Sequence, residues 1–246
     1  MLARLKHSLR VLWISAWLGW QIESNSTNPV YFLGLSVLRP VASVLILVFM
    51  YRVVSQVGAG SPMYAYIYLG NAFYIYVGAV MAGVSFSILD DREHYRTLKY
   101  LYVAPLDIPV YLVGRALARF FTGSLAVGVT LLAGVLFFQV PIRLQTADWL
   151  MFLAAMALGV TCLTFMGIVV GAWTLTIRTE PWGVGEAVAA ALYLFSGAIF
   201  PITILPVFLQ PLGFLLPVTY WLELVRRSLL GPAAAGFPTL AAFSNA

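Results

Sequence analysis

L-D-D-R-E-H-Y-R-T-L-K-Y-L-Y-V-A-P-L, residues 89–106, is the stretch that decides how the rest of the chain is read. Asp90, Asp91, Arg92, Glu93, Arg96 and Lys99 are charged at neutral pH and His94 adds a further ionisable group, in a chain that is only 9% charged. Long apolar runs flank it on both sides. A charge held in hydrocarbon costs a few kcal/mol or more, so the segment stands in water at a membrane surface. A chain that concentrates its few charges in one loop is expected to use that loop to meet another protein.

Composition sets the class. The 246 residues are 62% hydrophobic, with a mean hydropathy of +0.93. Soluble domains carry about 25% charged and about 45–50% apolar residues. The surplus cannot be buried in one core, so lipid is the solvent. The net charge of +5 reads as membrane orientation rather than nucleic-acid affinity, because Lys and Arg flank apolar runs and form no continuous stripe. The single cysteine, Cys162, excludes an intrachain disulfide and reads as a small packed residue. No cleavable signal peptide is read at the N-terminus: the apolar core between Arg10 and Glu23 is short and no small-residue cleavage site follows.

Outward from the charged stretch, the chain divides into an N-terminal interfacial helix with its linker, residues 1–26, and a transmembrane domain, residues 27–246. Leu2, Leu5, Leu9, Leu12 and Trp13 recur at helical spacing, followed by Trp17 and Trp20, with Arg4, Lys6, His7 and Arg10 grouped early. This predicts an amphipathic helix lying on the membrane, its tryptophans at headgroup level; the start of a first span is the alternative. Spans are expected over residues 31–54, 63–89, 110–140, 149–176 and 182–200. Arg39 and Pro40 lie inside the first, where Arg39 either snorkels, finds an internal partner or faces a substrate. The second is rich in tyrosine; Tyr68, Asn71 and Tyr74 read either as belt and packing or as the wall of a conduit whose rings stack on a glycan or lipid headgroup.

Arg115 and Arg119 anchor the third span at the inner leaflet, and the G-I-V-V-G run at 167–171 lets helices approach closely in the fourth. Pro201, Pro206, Pro211 and Pro217 break an apolar segment that no continuous helix can carry. A re-entrant hairpin over residues 201–231 fits, with Thr219 capping its last helix and Glu223 pairing with Arg227. With the N-terminus inside, the inner side holds Arg4, Lys6, Arg10, Arg92, Arg96, Lys99, Arg115, Arg119 and Arg178. The outer side holds Arg52, Arg143, Arg226 and Arg227. The charged stretch is therefore expected in the cytoplasm and the proline-rich hairpin outside.

Two stretches carry a family resemblance. Glu93-x-x-Arg96-Thr97-Leu98, with Ala104-Pro105-Leu106 and Gly114-Arg115 after it, looks like the coupling region of type-2 ABC exporter permeases. The run from Phe195-Ser196-Gly197-Ala198 through Pro201, Leu216-Pro217-Val218-Thr219-Tyr220 and Glu223 to Gly231 looks like their outer re-entrant signature. Arg96 stands where many members have glycine, and Lys99 where many have glutamate. The resemblance implies an all-α polytopic membrane protein with five visible transmembrane helices, a re-entrant hairpin and a family norm of six spans, the sixth being expected beyond the sequence given. It implies a dimer of permeases, identical or related, docked on two copies of a nucleotide-binding subunit in a bacterial or archaeal inner membrane. The cargo would be an amphipathic lipid, glycan or drug.

No phosphate loop of the form GxxxxGK[ST] occurs, so MgATP is expected on the partner subunit and no cofactor or metal on this chain. On this reading Asp91, Glu93, Arg96, Thr97 and Lys99 contact the nucleotide-binding subunit, and residues 89–106 move as one rigid lever helix. Arg4, Lys6 and Arg10 steady the interfacial helix against membrane lipids, and Arg39, Tyr68, Asn71 and Tyr74 are candidates for a substrate path. The competing classes are a secondary transporter or channel, which would want inverted repeats or midplane charges, and a membrane-embedded transferase. For the latter, Asp90-Asp91 supplies only half of an acidic metal-diphosphate site.

Overall fold

The structure, a computed structural model, describes residues 2–25, eight positions between 34 and 49, and residues 62–104, 106–138, 140, 147–177 and 181–230. Most of the expected first span, with Arg39, lies outside these residues, as do Arg52, Arg143, Arg178, the tail beyond 230 and the side chain of Arg4. The described residues hold nine α-helices and no strand. They are α1 (Leu2–Asn25), α2 (Pro62–Tyr76), α3 (Gly83–Glu93), α4 (Leu98–Val103), α5 (Ile108–Phe138), α6 (Trp149–Thr174), α7 (Val184–Phe195), α8 (Gln210–Leu215) and α9 (Pro217–Leu230). A π-helical segment, Val77–Ala82, joins α2 to α3 without a break in the helical path.

Three helical stretches are long and apolar enough to cross a membrane: Tyr64–Glu93, Ile108–Leu136 and Trp149–Thr174. They match the expected second, third and fourth spans. The fifth is shorter than expected. α7 has 12 residues, about 18 Å at 1.5 Å per residue, against a hydrocarbon core of about 30 Å. It stops at Phe195 because the chain turns at Gly197, whose φ of 72° suits glycine. The charged stretch is also not one continuous helix. α3 ends at Glu93, the N–H groups of His94 and Tyr95 both donate to the Asp90 carbonyl, and Arg96 takes a φ of 52° before α4 begins. A left-handed residue ends a right-handed helix, so residues 89–106 form helix, turn and short helix.

Two compact units emerge. The first comprises residues 1–38, 76–125 and 163–189. The π segment and α3 form its core, with Val80, Met81, Val84, Ile88 and Leu89 buried. The expected close approach on α6 is present. A Cβ on Gly167 would lie 2.6 Å from the Met81 carbonyl oxygen, and one on Gly171 would strike Ile88. Tyr76 stacks on Phe120 and donates to Ser124 Oγ at 2.9 Å.

The second unit comprises residues 39–75, 126–162 and 190–246. Here α2 is the buried element, with every residue from Tyr64 to Phe73 enclosed. Asp148 caps α6 by accepting from the Met151 N–H at 3.0 Å. Pro211 falls in the first turn of α8 and Pro217 opens α9, positions where a missing N–H costs nothing. Thr219 does not cap α9 as expected. It lies inside the first turn and donates to the Gly213 carbonyl at 2.7 Å, fastening α9 to α8.

Candidate functional site

Between two membrane-capable helices, the first unit presents a short surface built on a buried anchor. Asp91 is 3% exposed. Its carboxylate accepts from the Tyr111 hydroxyl at 2.9 Å and faces the Arg115 guanidinium at 4.0 Å. Its backbone carbonyl accepts the Thr97 N–H at 2.8 Å, which closes the turn carrying Arg96. Arg92 reaches back to donate to the Leu175 carbonyl at 2.9 Å and pairs with Glu93 at 3.0 Å. The turn is thus fastened to α5 and to the end of α6, while α4 itself buries none of its side chains.

The outward face is amphipathic. Lys99 lies 5.2 Å from the ring of Tyr100. Tyr95, Tyr100 and Tyr102 are exposed, and Val103 is 87% exposed. Of the five residues expected to touch a partner, Glu93, Arg96 and Lys99 lie on this surface, Thr97 is half-buried, and Asp91 points inward as the anchor. The tyrosines and Val103 were not among the expected contacts; their alternation with Lys99 in an otherwise solvated stretch was the available signal.

On α1, Lys6 and Arg10 are exposed, as are Leu9, Trp13, Ile14 and Trp17. This is the composition of an interfacial helix.

The second unit gathers the tyrosines differently. Tyr68 is fully buried and donates to the Thr130 carbonyl at 2.5 Å. Asn71 donates to the Ile67 and Ala198 carbonyls at 2.8 and 3.4 Å and accepts from the Tyr193 hydroxyl. Tyr74 is half-buried with its ring centroid 4.6 Å from that of Tyr193. Tyr68 and Asn71 therefore have protein partners, and Tyr74 is the most accessible of the three.

Arg226, one of the charges expected on the outer side, is buried at 2% exposure. Its guanidinium donates to the carbonyls of Tyr66 at 3.1 Å, Gly197 at 2.9 Å and Ala198 at 3.2 Å, and lies 3.7 Å over the Tyr66 ring. Gly70 leaves the room, because a Cβ there would strike that guanidinium. A signal existed: Arg226 follows Leu222 by four residues and Thr219 by seven, on the buried stripe of α9. The expected pair of Glu223 with Arg227 forms at 3.0 Å.

Among the described residues no group of three or more His, Cys, Asp or Glu side chains could hold a metal ion. Membrane-capable helices with no strand among the described residues, joined by a short exposed helix on a buried ionic anchor, define a multi-pass all-α membrane protein. The chain belongs to the ABC-2 type transporter family, whose model matches residues 12–230. It is accordingly the membrane permease component of an ABC transporter, a transport subunit rather than a catalytic one, and the family works with a nucleotide-binding subunit. No curated protein matches the chain.

Proposed function

We propose that this chain is the membrane-spanning subunit of an ATP-driven exporter of an amphipathic lipid, lipid-linked glycan or drug. The exposed face of α4 would be its contact with a separate nucleotide-binding subunit. The observation that carries the reading is the contrast within residues 89–106. A carboxylate, a tyrosine and an arginine hold the segment from behind, while Lys99, Tyr100, Tyr102 and Val103 face outward without burial. Tyrosine is favoured where a surface becomes an interface, and a rigid support lets a contact transmit force.

In this reading Glu93, Arg96, Thr97 and Lys99 join the contact and Asp91 holds it in place. Two permeases and two nucleotide-binding subunits, carrying MgATP, make the complex in a bacterial or archaeal inner membrane, with the N-terminus in the cytoplasm. The interfacial segment 1–26 is anchored by Arg4, Lys6 and Arg10 and the remainder is the transmembrane domain, with 201–231 re-entrant from outside. Arg39 and Tyr74 belong to the substrate path, with Tyr68 and Asn71 as its packed wall.

The test is co-purification from native membranes. The parent chain should bring down an ATP-hydrolysing subunit, and Val103→Asp should reduce its recovery by about tenfold or more, as loss of a well-packed interface residue does. Recovery of the permease with no ATPase would leave a secondary transporter or channel as the reading.

A further inference from the structure

α5 carries three polar residues at four-residue intervals, Tyr111, Arg115 and Arg119, so all three lie along one stripe. The first two meet α3 through the two carboxylate oxygens of Asp91. Arg119 forms an ion pair with Glu23 near the end of α1. The aliphatic stems run the other way. A Cβ on Gly19 of α1 would lie 3.5 Å from Arg115 Cδ, and a Cβ on Gly83 of α3 would lie 2.9 Å from Arg119 Cδ.

Each arginine therefore rests on one helix and reaches for the acid on the other: Arg115 lies on α1 and faces α3, Arg119 lies on α3 and faces α1. The seam between α1 and α5 is correspondingly tight. A Cβ on Gly19 would lie 2.9 Å from that of Ala118, and one on Gly114 would lie 2.6 Å from that of Ser15. Arg115 is buried with no hydrogen-bond partner for Nη1, so its position is set by packing and by the charge of Asp91.

We propose that this crossed pair of arginines makes α1, α3 and α5 one rigid joint. Arg115 and Arg119 are its positioning residues, and the joint makes the surface helix α1 travel with the α3–α4 turn whenever that turn is driven. The inference rests on the exporter reading for its driving force, and on the two crossed contacts for its rigidity. Neither contact alone would suffice, since one ion pair leaves a helix free to pivot about it, whereas two contacts running in opposite directions oppose rotation both ways.

The experiment uses the complete complex in lipid nanodiscs. Spin labels are placed by Ile14→Cys on α1 and His94→Cys after α3 in a Cys162→Ser background, with labelled permease diluted by unlabelled. Between the nucleotide-free and vanadate-trapped complexes the separation should hold within about 2 Å, the scale of ordinary packing adjustments. Arg119→Ala should broaden it and lose the ATP-driven movement of α1 while ATP hydrolysis persists, and Arg115→Met should broaden it as well. The Glu23→Arg/Arg119→Glu exchange should restore the narrow distribution, and so should Arg115→Lys, because a 4.0 Å contact asks for charge rather than for a two-pronged guanidinium.

A shift in the parent complex of about 5 Å, one helical turn, would overturn the joint, as would an exchange variant no narrower than the single substitutions. If the single variants fail to fold, the exchange and Arg115→Lys are compared with the parent, and a distribution broader than the parent's in either would overturn the joint. A third label on α4, measured against the ATPase subunit, separates the two ideas. No ATP-driven change there removes the exporter reading, whereas a change there with α1 left behind removes only the joint.

Discussion

Arg115 in one unit and Arg226 in the other are buried to the same degree, yet their charges are met in opposite ways. Arg115 faces a carboxylate, with a tyrosine hydroxyl sharing the load at 2.9 Å. Arg226 is enclosed by the oxygens of three backbone carbonyls and the face of a ring, while nearby Glu223 is engaged by Arg227. A side-chain pair can be rearranged or exchanged by swapping residues. A cage of carbonyls belongs to the path of the backbone and has no substitute. The first arrangement suits a part that must be held and moved, the second a part that must keep its shape.

Substitutions can break this contrast. Arg226→Met should have the largest effect, removing the guanidinium's hydrogen bonds to three buried carbonyls and costing about 3–5 kcal/mol; loss of the monodisperse peak after detergent extraction measures it. Asp91→Asn should cost about 3 kcal/mol, the low end for a broken buried pair because the contact is long, and Asp91→Asn/Arg115→Met should recover part of it. No such recovery is expected for any partner change at Arg226. Gly70→Ala should cost about 1–3 kcal/mol by overpacking the guanidinium, read as a lower melting temperature. Arg96→Gly should be the mildest and of opposite sign, a gain of about 1 kcal/mol from relieving left-handed backbone, seen as a small rise in melting temperature.

That last position illustrates how far the sequence could be read. The apolar runs placed α5 and α6 within two residues of their observed ends, because lipid-facing helices declare themselves by length and composition. The departure of Arg96 from the family's glycine was legible too, although its meaning, a left-handed turn that splits the charged stretch, required the backbone. The anchoring of Asp91 by Tyr111 was out of reach, since charge density alone makes every acid in that segment look exposed. The Arg226 cage joins residues up to 160 positions apart and uses carbonyls, which every residue has. Only the position of Arg226 on the stripe of α9 hinted at it.

α4 has six residues and no buried side chain, while the first turn of any helix fixes several torsions for a single hydrogen bond. Only the half-buried Leu98 and Leu101 offset that entropy from within the described residues, so a partner covering the face, as proposed, would stabilise the helical state further. Its amide hydrogens should exchange with heavy water far sooner than those of α3 a few residues upstream. On the proposed reading that rate would gauge occupancy, slow when the face is covered and fast when it is bare.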